Sequence, residues 1–262
     1  MAGTEEWPPN MTEARMQLQQ MSWEEVETYL ATRDDAVLPV GSTEQHGPIG
    51  LIGTDALCAT AVAEGACAAA GAVMLPPLAY TPAPFNMGFP GTISVSEATF
   101  SALVSDIVMS LACHGFRRLY VLNGHGANLA PLRALAETAP LSLRIRSWWD
   151  YPRTDALRRS LYGDWEGMHA TPSEIAITQA RYRRIERAPL PAPRPLDAAF
   201  RAAHAGDRHG PPDEHRAAFP CGRVGSWSEL ACPEHGTELL ALAIQEAAED
   251  MRDFEAPGAD AP

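Results

Sequence analysis

The chain reads AVLPVGSTEQHGP from Ala36 to Pro48, and this stretch decides how its fold is interpreted. Its first five residues are apolar and have the length of a buried strand, and Glu44 and His46 follow in a loop. A second apolar run, 119–122, is followed in the same way by His125. Open α/β folds place their chemistry in loops that leave the carboxyl ends of parallel strands. The sequence therefore predicts an α/β protein with a site at that end of its sheet.

Helix and strand patterns alternate along the rest of the chain. They predict strands at 36–40, 72–75, 118–122 and 143–148, and helices at 22–33, 55–70, 94–114, 129–138, from Thr171 onward, and at 234–254. Such alternation is typical of a single domain whose mostly parallel β-sheet is covered by helices on both faces. We expect a domain at 21–256, a mobile lead-in at 1–20, a tail at 257–262, and a Pro-rich excursion at 188–222 that closes over the site or forms a subunit contact.

The composition of the chain argues against some classes of partner. The chain has 262 residues and a net charge of −13, whereas phosphate contacts need clustered Lys and Arg, so we expect neither nucleic acid nor a membrane as a partner. No uncharged apolar run approaches the roughly 18 residues that span a bilayer, and the start of the sequence has no secretory pattern. The five cysteines form no CxxC motif, which predicts free thiols and a cytoplasmic location.

Glu44, His46, Asp55 and His125 are candidate metal ligands. Glu44 and His46 share a face if their loop is extended, Asp55 is expected at a helix start, and His125 lies between two glycines. Each pattern alone has an ordinary explanation, since a lone Glu-x-His is more often a turn and an acidic helix start is more often a cap. Their placement after strands favours a site for Zn, Mn or Fe, which carboxylate oxygens and imidazole nitrogens suit.

A further candidate segment, GMHATPSE at 167–174, contains His169 and Glu174. A helix cap with an acidic first turn explains these two residues equally well. Trp148 and Trp149 are candidates for a pocket wall or for core packing. The other histidines show no partner pattern, so we expect His114 at a helix end and His204, His209, His215 and His235 on the surface. Neither nucleotide binding nor a serine or cysteine nucleophile is predicted, because no P-loop, GxGxxG or GxSxG motif occurs.

Four stretches of the sequence occur together in an order that is specific to one family. They are Leu38–Pro48 with Asp55, the run FPGTIS at 89–94, the stretch from His114 to Asn128, and the segment from His169 to Glu174. On these motifs the chain resembles the creatininase (creatinine amidohydrolase) family over roughly 22–254. The first and third stretches carry most of the specificity.

The resemblance implies a single α/β domain, a two-metal hydrolytic site and a homo-oligomer, commonly a hexamer. Carried over by position, the implied metal ligands are Glu44, His46, Asp55, His125 and Glu174, with Asp55 as the bridge. Creatininases proper have a glutamate at the position of Ala127, and Glu174 takes the role of this missing ligand. One ion would be held by Glu44, Asp55 and His125, and the other by His46, Asp55 and Glu174.

Three departures from the family pattern concern the surroundings of the substrate. Ile49 replaces a histidine, Phe85-Asn86 replaces a Glu-His pair, and Pro172 replaces a glutamate of the later motif. The metal ligands are kept while these positions differ, so creatinine is not the expected substrate. We expect a substrate with a more apolar edge that is bound by Phe85, Asn86, Trp148 and Trp149.

The function that this resemblance implies is an amidohydrolase that cleaves a C–N bond in a small amide or cyclic amide, using water activated by two divalent ions. Zn is the first choice of metal, with Mn or Fe as alternatives. His169 and Glu174 are the expected catalytic residues, with His169 moving a proton to the leaving nitrogen, and Asn123 and Asn128 are expected to hold the ligand loops. Two alternatives stay open. One is that the same site hydrolyses a lactone, a sugar-derived cyclic ketone or a peptide end. The other is that the protein binds metal within an assembly without turnover.

Overall fold

The structure is a computed structural model that describes residues 16–255. Within this range the sheet consists of β1 (Asp35–Val40), β2 (Val73–Met74), β3 (Arg118–Asn123) and β4 (Ser142–Ser147). The strand order is β2-β1-β3-β4, and each neighbouring pair is parallel. The helices are α1 (Trp23–Leu30), α2 (Thr54–Ala70), α3 (Glu97–His114), α4 (Leu129–Ala136), α5 (Pro152–Tyr162), α6 (Pro172–Arg181), α7 (Ala198–Ala203), α8 (Pro212–Ala218) and α9 (Pro233–Glu255).

Successive side chains along each strand point alternately into two hydrophobic cores, one on each face of the sheet. Val37, Tyr120 and Leu122 belong to one core, which they share with side chains of α2, α5, α6 and α9. Leu38 and Val121 belong to the other core, with side chains of α1, α3 and α4. Successive strand side chains point to opposite faces, so both faces of the sheet are buried under helices. The predicted α/β class, with a parallel sheet covered on both faces, is confirmed.

The excursion at 188–222 contains α7 and α8 and packs against a short 3-10 turn, Pro84–Gly88. His209 and His215 are buried in it, with only 8% and 2% of their surfaces exposed. Their rings lie 4.8 and 5.1 Å from the ring of Phe85, measured between centroids. The prediction that these two histidines are on the surface was wrong, because the excursion folds inward onto an aromatic side chain.

The predicted lead-in and tail fall largely outside the described residues, which exclude 1–15 and 256–262. Residues 16–20 are described, and Leu18–Gln20 form a 3-10 turn. The carbonyl of Met16 accepts a hydrogen bond from the Met74 amide at 2.7 Å. This part of the predicted lead-in therefore packs at the edge of the sheet beside β2.

The cysteines are free thiols, and all five lie among the described residues. Cys58 and Cys67 are buried in α2, where burial raises the pKa of each thiol well above its usual range. Between residues 16 and 255, no helix has both the length and the apolar character that crossing a bilayer requires.

Candidate metal centre

Glu44, His46 and His125 lie at the carboxyl ends of two adjacent strands. Glu44 and His46 follow β1, and His125 follows β3. The two strands are paired up to their last residues, where Val40 lies opposite Asn123. The loops therefore leave the sheet side by side, and all three side chains are buried where the loops meet.

Two glycines let the N-terminus of α2 approach these loops. A Cβ atom on Gly41 would overlap the backbone of Ala56, and one on Gly124 would overlap the carbonyl oxygen of Asp55. A larger residue at either position would require α2 to move. The close approach brings Asp55 between the two loops, and its place in the first turn of α2 favours a negative charge there.

Asp55 lies between the two histidines. Its Oδ1 is 2.8 Å from Nε2 of His46, and its Oδ2 is 3.0 Å from Nδ1 of His125. Oε1 of Glu44 is 3.2 Å from the same nitrogen of His125, and Oε1 of Glu174 is 3.8 Å from the same nitrogen of His46. The side chains thus form two groups that share Asp55, namely Glu44–Asp55–His125 and His46–Asp55–Glu174.

Backbone carbonyls determine which nitrogen of each ring carries hydrogen. Nε2 of His125 is 2.8 Å from the carbonyl oxygen of Pro82, and Nδ1 of His46 is 3.1 Å from the carbonyl oxygen of Glu44. A carbonyl only accepts, so each of these nitrogens donates, and the other nitrogen of the neutral ring is bare. Each bare nitrogen faces carboxylate oxygens, and such an arrangement needs a proton or a metal ion between the partners.

The carboxylates of the site are incompletely satisfied. Oε1 of Glu44 and Oδ2 of Asp55 are buried and have no hydrogen-bond partner within the described part of the chain. A buried charge is costly unless it is paired or coordinates a metal. Oxygen and nitrogen donors in this arrangement are the ligand types of Zn and Mn. The residues present therefore fit divalent metal ions.

The electrostatics of the site also favour positive charge. Burial opposes the charged form of His46, but the carboxylates of Asp55 and Glu174 outweigh it and raise the pKa of the ring to about 10. Burial likewise opposes the charged form of His125, and the Glu44 carboxylate outweighs it and raises the pKa of that ring well above its usual value. A metal ion that binds here would displace these protons, because imidazole ligates in its neutral form.

His169 borders the same site from the loop before α6. Its Nε2 is 2.6 Å from the carbonyl oxygen of Gln45, to which it donates, and its Nδ1 is 3.6 Å from Oε1 of Glu44. Burial, with a contribution from the nearby charge of His46, lowers the pKa of His169 to about 3. The ring is therefore neutral at pH 7, with a bare Nδ1 beside the candidate centre.

Glu174 has two roles in the structure. It completes a capping box at the start of α6, where its Oε1 accepts from the Thr171 amide and the hydroxyl of Thr171 accepts from the Glu174 amide. The same carboxylate faces His46. Burial raises the pKa of Glu174 to about 7, against the opposing effect of the His46 charge. The helix-cap explanation and the site explanation of this residue therefore both apply.

A cavity of about 300 Å³ opens onto the centre. Trp148 and Trp149 line it, and their rings meet edge to face with centroids 5.7 Å apart. Trp148 is fully buried and Trp149 is half-buried. Both tryptophans thus line the pocket, and Trp148 also packs in the hydrophobic core, so both interpretations of this residue apply. That they bind substrate stays a prediction.

Phe85 and Asn86 lie behind the site and are not among the residues that line this cavity. The amide nitrogen of Asn86 donates to Oε2 of Glu44 at 2.9 Å. The ring of Phe85 packs edge to face against His169, with centroids 5.9 Å apart. Both side chains are buried and contact Glu44 and His169, and the expectation that they bind substrate stays a prediction.

Asn123 and Asn128 connect the loops that carry the candidate ligands. The side-chain amide of Asn123 donates to the carbonyl oxygen of His125 at 2.8 Å. The side-chain amide of Asn128 donates to the carbonyl oxygen of Gly41 and to the Asn123 side chain, each at 3.2 Å. These bonds tie the loop after β3 to the end of β1, which is the kind of contact expected of residues that orient ligands.

Asp207 is a residue of the site that the sequence analysis did not single out. It comes from the excursion, lines the cavity, and its Oδ2 lies 3.6 Å from Nδ1 of His125. Burial opposes its charged form, but His209 and His125 outweigh this effect and lower the pKa of Asp207 to about 2. The only local signal in the sequence is an acidic residue beside Gly206 in a stretch rich in proline.

The fold and the site define an α/β protein with a carboxylate–imidazole centre at the carboxyl ends of its strands. The family model described as creatinine amidohydrolase matches residues 19–251. The chain is 30% identical to the creatinine amidohydrolase of Pseudomonas putida, over 89% of this chain and 95% of that protein. The chain therefore belongs to the creatininase family, whose members are hydrolases that act on C–N bonds, and the resemblance drawn from its motifs is confirmed.

Two further proteins are similar to this chain, one in structure and one in sequence. A manganese form of creatininase superposes with a TM-score of 0.69 at 29% identity, covering 92% of this chain and 99% of that structure. A mycofactocin precursor peptide peptidase of Mycolicibacterium smegmatis is 38% identical over 43% of this chain and 47% of its own length. The family therefore includes proteins named for a small cyclic amide and for a peptide.

Proposed function

We propose that this protein hydrolyses a C–N bond in an amide or cyclic amide of a small molecule with the help of two divalent metal ions. The observation that carries the proposal is the pair of imidazole nitrogens, Nε2 of His46 and Nδ1 of His125, that face the two oxygens of one buried carboxylate, Asp55, at 2.8 and 3.0 Å. This arrangement suits two cations that share one bridging carboxylate. Membership in a family of amidohydrolases supports the type of reaction.

The metal ligands that we propose follow the two groups around Asp55. Glu44 and His125 would hold one ion together with Asp55, and His46 and Glu174 would hold the other. When bound, two such ions lower the pKa of water from 15.7 toward about 7 and stabilise negative charge that develops on a carbonyl oxygen. We propose Zn first, with Mn or Fe as alternatives, because all three accept oxygen and nitrogen ligands.

His169 is the proton carrier in this proposal. Its Nε2 is engaged with the Gln45 carbonyl, so only Nδ1 can take up a proton on the side of the site. A neutral ring that is orientated in this way would hold a proton from the attacking water only transiently, because its pKa of about 3 favours passing the proton on to the leaving nitrogen. Glu174 acts beside it as a ligand and as the group that fixes the N-terminus of α6.

The pocket limits the size and polarity of the substrate. Its volume of about 300 Å³ is at the lower end of the range typical of small-molecule sites. Trp148 and Trp149 supply an apolar wall, and the indole N–H of Trp148 has no hydrogen-bond partner in the described structure. We propose that these tryptophans bind a small substrate with an apolar edge, and that creatinine itself is not the substrate.

The first test is metal content, measured by inductively coupled plasma mass spectrometry on protein purified without chelators. The proposal expects about two ions of Zn, Mn or Fe per chain. The loaded protein is then offered a panel of linear and cyclic amides. Glu44→Gln and His125→Ala should abolish turnover and leave the far-UV circular dichroism unchanged. The control Asp106→Asn, on the exposed face of α3, should leave turnover unchanged. Full activity in either site variant would contradict the assignment.

A peptide end is the second candidate substrate. The relative that is named a precursor peptide peptidase favours it. Peptides with free or blocked ends, together with lactones and sugar-derived cyclic ketones, belong in the same panel. Cleavage of peptides but not of small amides would replace the first substrate class while leaving the proposed centre intact.

A metal-binding protein without turnover is the alternative from another class. The alanine at position 127 and the altered later motif motivate it. Retention of all five candidate ligands in one buried cluster speaks against it. Stoichiometric metal binding with no hydrolysis across the whole panel would support this alternative.

We also propose that the protein forms a homo-oligomer, with a hexamer as the first expectation. The apolar side chains of Leu103 and Met109 on α3 are exposed, by 42% and 55%, and are available for contacts between copies. Light scattering coupled to gel filtration separates a single chain of 28.2 kDa from six such chains. A location in the cytoplasm stays a prediction that rests on the free cysteines.

A further inference from the structure

Asp207 is held in the site by an unusual backbone conformation. Its φ is 58°, in the left-handed region that few residues other than glycine adopt, and the preceding Gly206 has a φ of 71°. Asp and Asn tolerate this region better than most residues. The turn between α7 and α8 is thereby folded so that one carboxylate points inward from a segment whose neighbours, Gly206 and Arg208, are exposed.

The Asp207 carboxylate contacts residues of the candidate metal centre. Its Oδ2 accepts a hydrogen bond from the Ala127 amide at 2.9 Å and lies 3.6 Å from Nδ1 of His125. Its Oδ1 is 3.8 Å from Nε2 of His209, which is buried against Phe85. The inward-facing histidines of the excursion therefore support the turn that carries Asp207.

Small residues in the loop after β3 make room for this carboxylate. A Cβ atom on Gly126 would overlap Oδ2 of Asp207. The next residue is Ala127, whose side chain is too short to reach the centre. Asp207 thus enters from the excursion at the place where the loop itself offers no carboxylate.

The Asp207 carboxylate adds to a concentration of negative charge around His125. Three carboxylate oxygens, from Glu44, Asp55 and Asp207, surround the one bare nitrogen of His125. Like charges at this spacing repel one another unless a cation lies among them. Together with Glu174, the carboxylates carry a formal charge that balances two divalent ions.

We propose that Asp207 is a metal ligand supplied by the excursion, which completes the group formed by Glu44, Asp55 and His125 and fastens the excursion over the site when the ion is bound. The proposal rests on the proposed function, since it requires a metal ion at that group. It assigns a role to the Pro-rich excursion, whose Asp207 carboxylate reaches the centre through the Ala127 amide, beside the packing of His209 and His215 on Phe85.

The affinity for metal is the first measurement. The apparent dissociation constants of Zn²⁺ and Mn²⁺ are determined by competition with a chromophoric chelator, for the full chain and for Asp207→Asn. Asparagine keeps the acceptor for the Ala127 amide and tolerates the left-handed φ, so the variant removes the charge and little else. We expect its affinity to be more than about a hundredfold weaker, because loss of a group that only supports a ligand costs about tenfold to a hundredfold. Asp213→Asn, on the exposed first turn of α8, should bind as the unmodified protein does.

A second variant displaces the carboxylate without removing it. Gly126→Ala should push Asp207 away and weaken metal binding to a similar degree. In the double variant the two losses should not add, because both act through one contact. Full additivity would overturn the proposal.

Proteolysis of the excursion gives a readout that is independent of activity. Trypsin cleaves after Arg208, which is exposed, and the cleavage rate follows the population in which the excursion is open. Metal should slow this cleavage by about tenfold or more in the unmodified protein and by less than about twofold in Asp207→Asn. Equal protection in both proteins would overturn the proposal.

The controls separate this proposal from the one on which it rests. If Asp207→Asn binds metal as tightly as the unmodified protein while Glu44→Gln loses it, Asp207 is not a ligand and the proposed centre stands. If the unmodified protein binds no metal after loading with each ion, both proposals fail.

Discussion

Two backbone carbonyls prepare the centre before any ligand arrives. Pro82 and Glu44 each accept one ring N–H, from His125 and His46, and leave the second nitrogen of each ring directed at Asp55. A partner that fixes one ring nitrogen sets both the tautomer and the orientation of the other. The two histidines therefore need little rearrangement to bind a cation.

His169 should affect turnover without affecting metal binding. His169→Ala removes the proposed proton carrier. His169 also forms a third group with Glu44 and His46, but both groups that share Asp55 stay complete in the variant. We expect kcat to fall by about 10²–10⁴-fold, which is the usual contribution of a positioned acid or base, while the metal content per chain is unchanged. Steady-state kinetics and mass spectrometry of the metal measure the two quantities. His114→Ala, at the exposed end of α3, is the matched control, and an unaltered kcat in His169→Ala would exclude the role.

The residues of the site differ in how far the sequence can predict them. Glu44, His46 and His125 could be found because each follows an apolar run directly, so the strand itself determines where the side chain goes. The burial of Phe85 and Asn86 could not be predicted, because a motif gives the position of a residue but not the side to which its side chain turns. Asp207 could not be found, since its approach depends on the path of a long segment without periodicity.

At the scale of elements, α6 and α9 pack closely against each other. Gly236 in α9 is buried, and a Cβ atom there would overlap the carbonyl oxygen of Ala176 in α6. Helix propensity alone favours alanine over glycine by about 0.5–1 kcal/mol. Overpacking against rigid backbone costs about 1–3 kcal/mol, so the packing effect exceeds the propensity.

Gly236→Ala should accordingly lower the free energy of unfolding by about 1–2 kcal/mol, measured by urea denaturation. Gly65→Ala in α2 is the comparison, because its new Cβ would meet side-chain atoms of Ile244 and no backbone atom, so the neighbour can shift to make room. We expect that variant to be near neutral. A stabilised Gly236→Ala protein would show that α6 and α9 can separate at little cost.

The excursion should become less stable at acidic pH because of His215. Burial, with the nearby charge of His209, lowers the pKa of His215 from 6.5 in the unfolded chain to about 4. Because His215 binds protons more tightly in the unfolded chain than in the folded protein, acid favours unfolding. Its contribution to the stability of the folded state is complete above pH 6.5 and is lost as the pH falls toward 4. The charged or titratable groups that act on it are His209, Glu44, Asp207 and His204.

Hydrogen exchange of 198–218, corrected for the intrinsic effect of pH, measures this loss. Exchange should accelerate between about pH 6.5 and pH 4 in the unmodified protein, and much less in His215→Phe, since the neighbouring rings of Phe85 and Phe219 accept an aromatic side chain. His114→Asn should behave as the unmodified protein does. The same acceleration in His215→Phe would assign the effect to another group.

The elements were predictable where their patterns were strong. All four strands and the helices α1, α2, α3, α4, α6 and α9 occur close to their predicted positions. The start of α3 differs slightly, because the capping side chain is Ser96 while the hydroxyl of Ser94 accepts from the Ala83 amide instead. Helix α5 was missed because its sequence, PRTDALRRSLY, is mostly polar and buries only part of one face.

At the scale of the whole molecule, metal removal should lower the melting temperature. A ligand that binds the native state alone stabilises it by about 2.7 kcal/mol at a hundred times its dissociation constant. For a domain of this size that corresponds to a shift of about 5–10 °C, since each kcal/mol is worth about 2–4 °C. Differential scanning calorimetry with and without a chelator measures it. Glu44→Gln should show little shift, and an equal shift in both proteins would mean that the stabilising ion binds elsewhere.

The parallel sheet was predictable from the pattern along the whole chain. The sheet determines the position of only some residues of the candidate site. Alternating strands and helices fix the layers, because each strand must be covered on both faces. The layers bring Glu44 and His125 together through the pairing of β1 and β3. They do not determine the excursion, which has no strand to direct it and is held by a few side-chain contacts.

The order of the site along the sequence has a consequence for protein synthesis. Glu44, Asp55 and His125 all belong to the first half of the chain, while Glu174 and Asp207 come from the second half. A ribosome that adds about 5–20 residues per second therefore exposes one incomplete group several seconds before the other side chains exist. An ion captured by the nascent chain would meet a half-built and open site. Translation thus sets the order in which the candidate centre is assembled, and the excursion that carries Asp207 is added last.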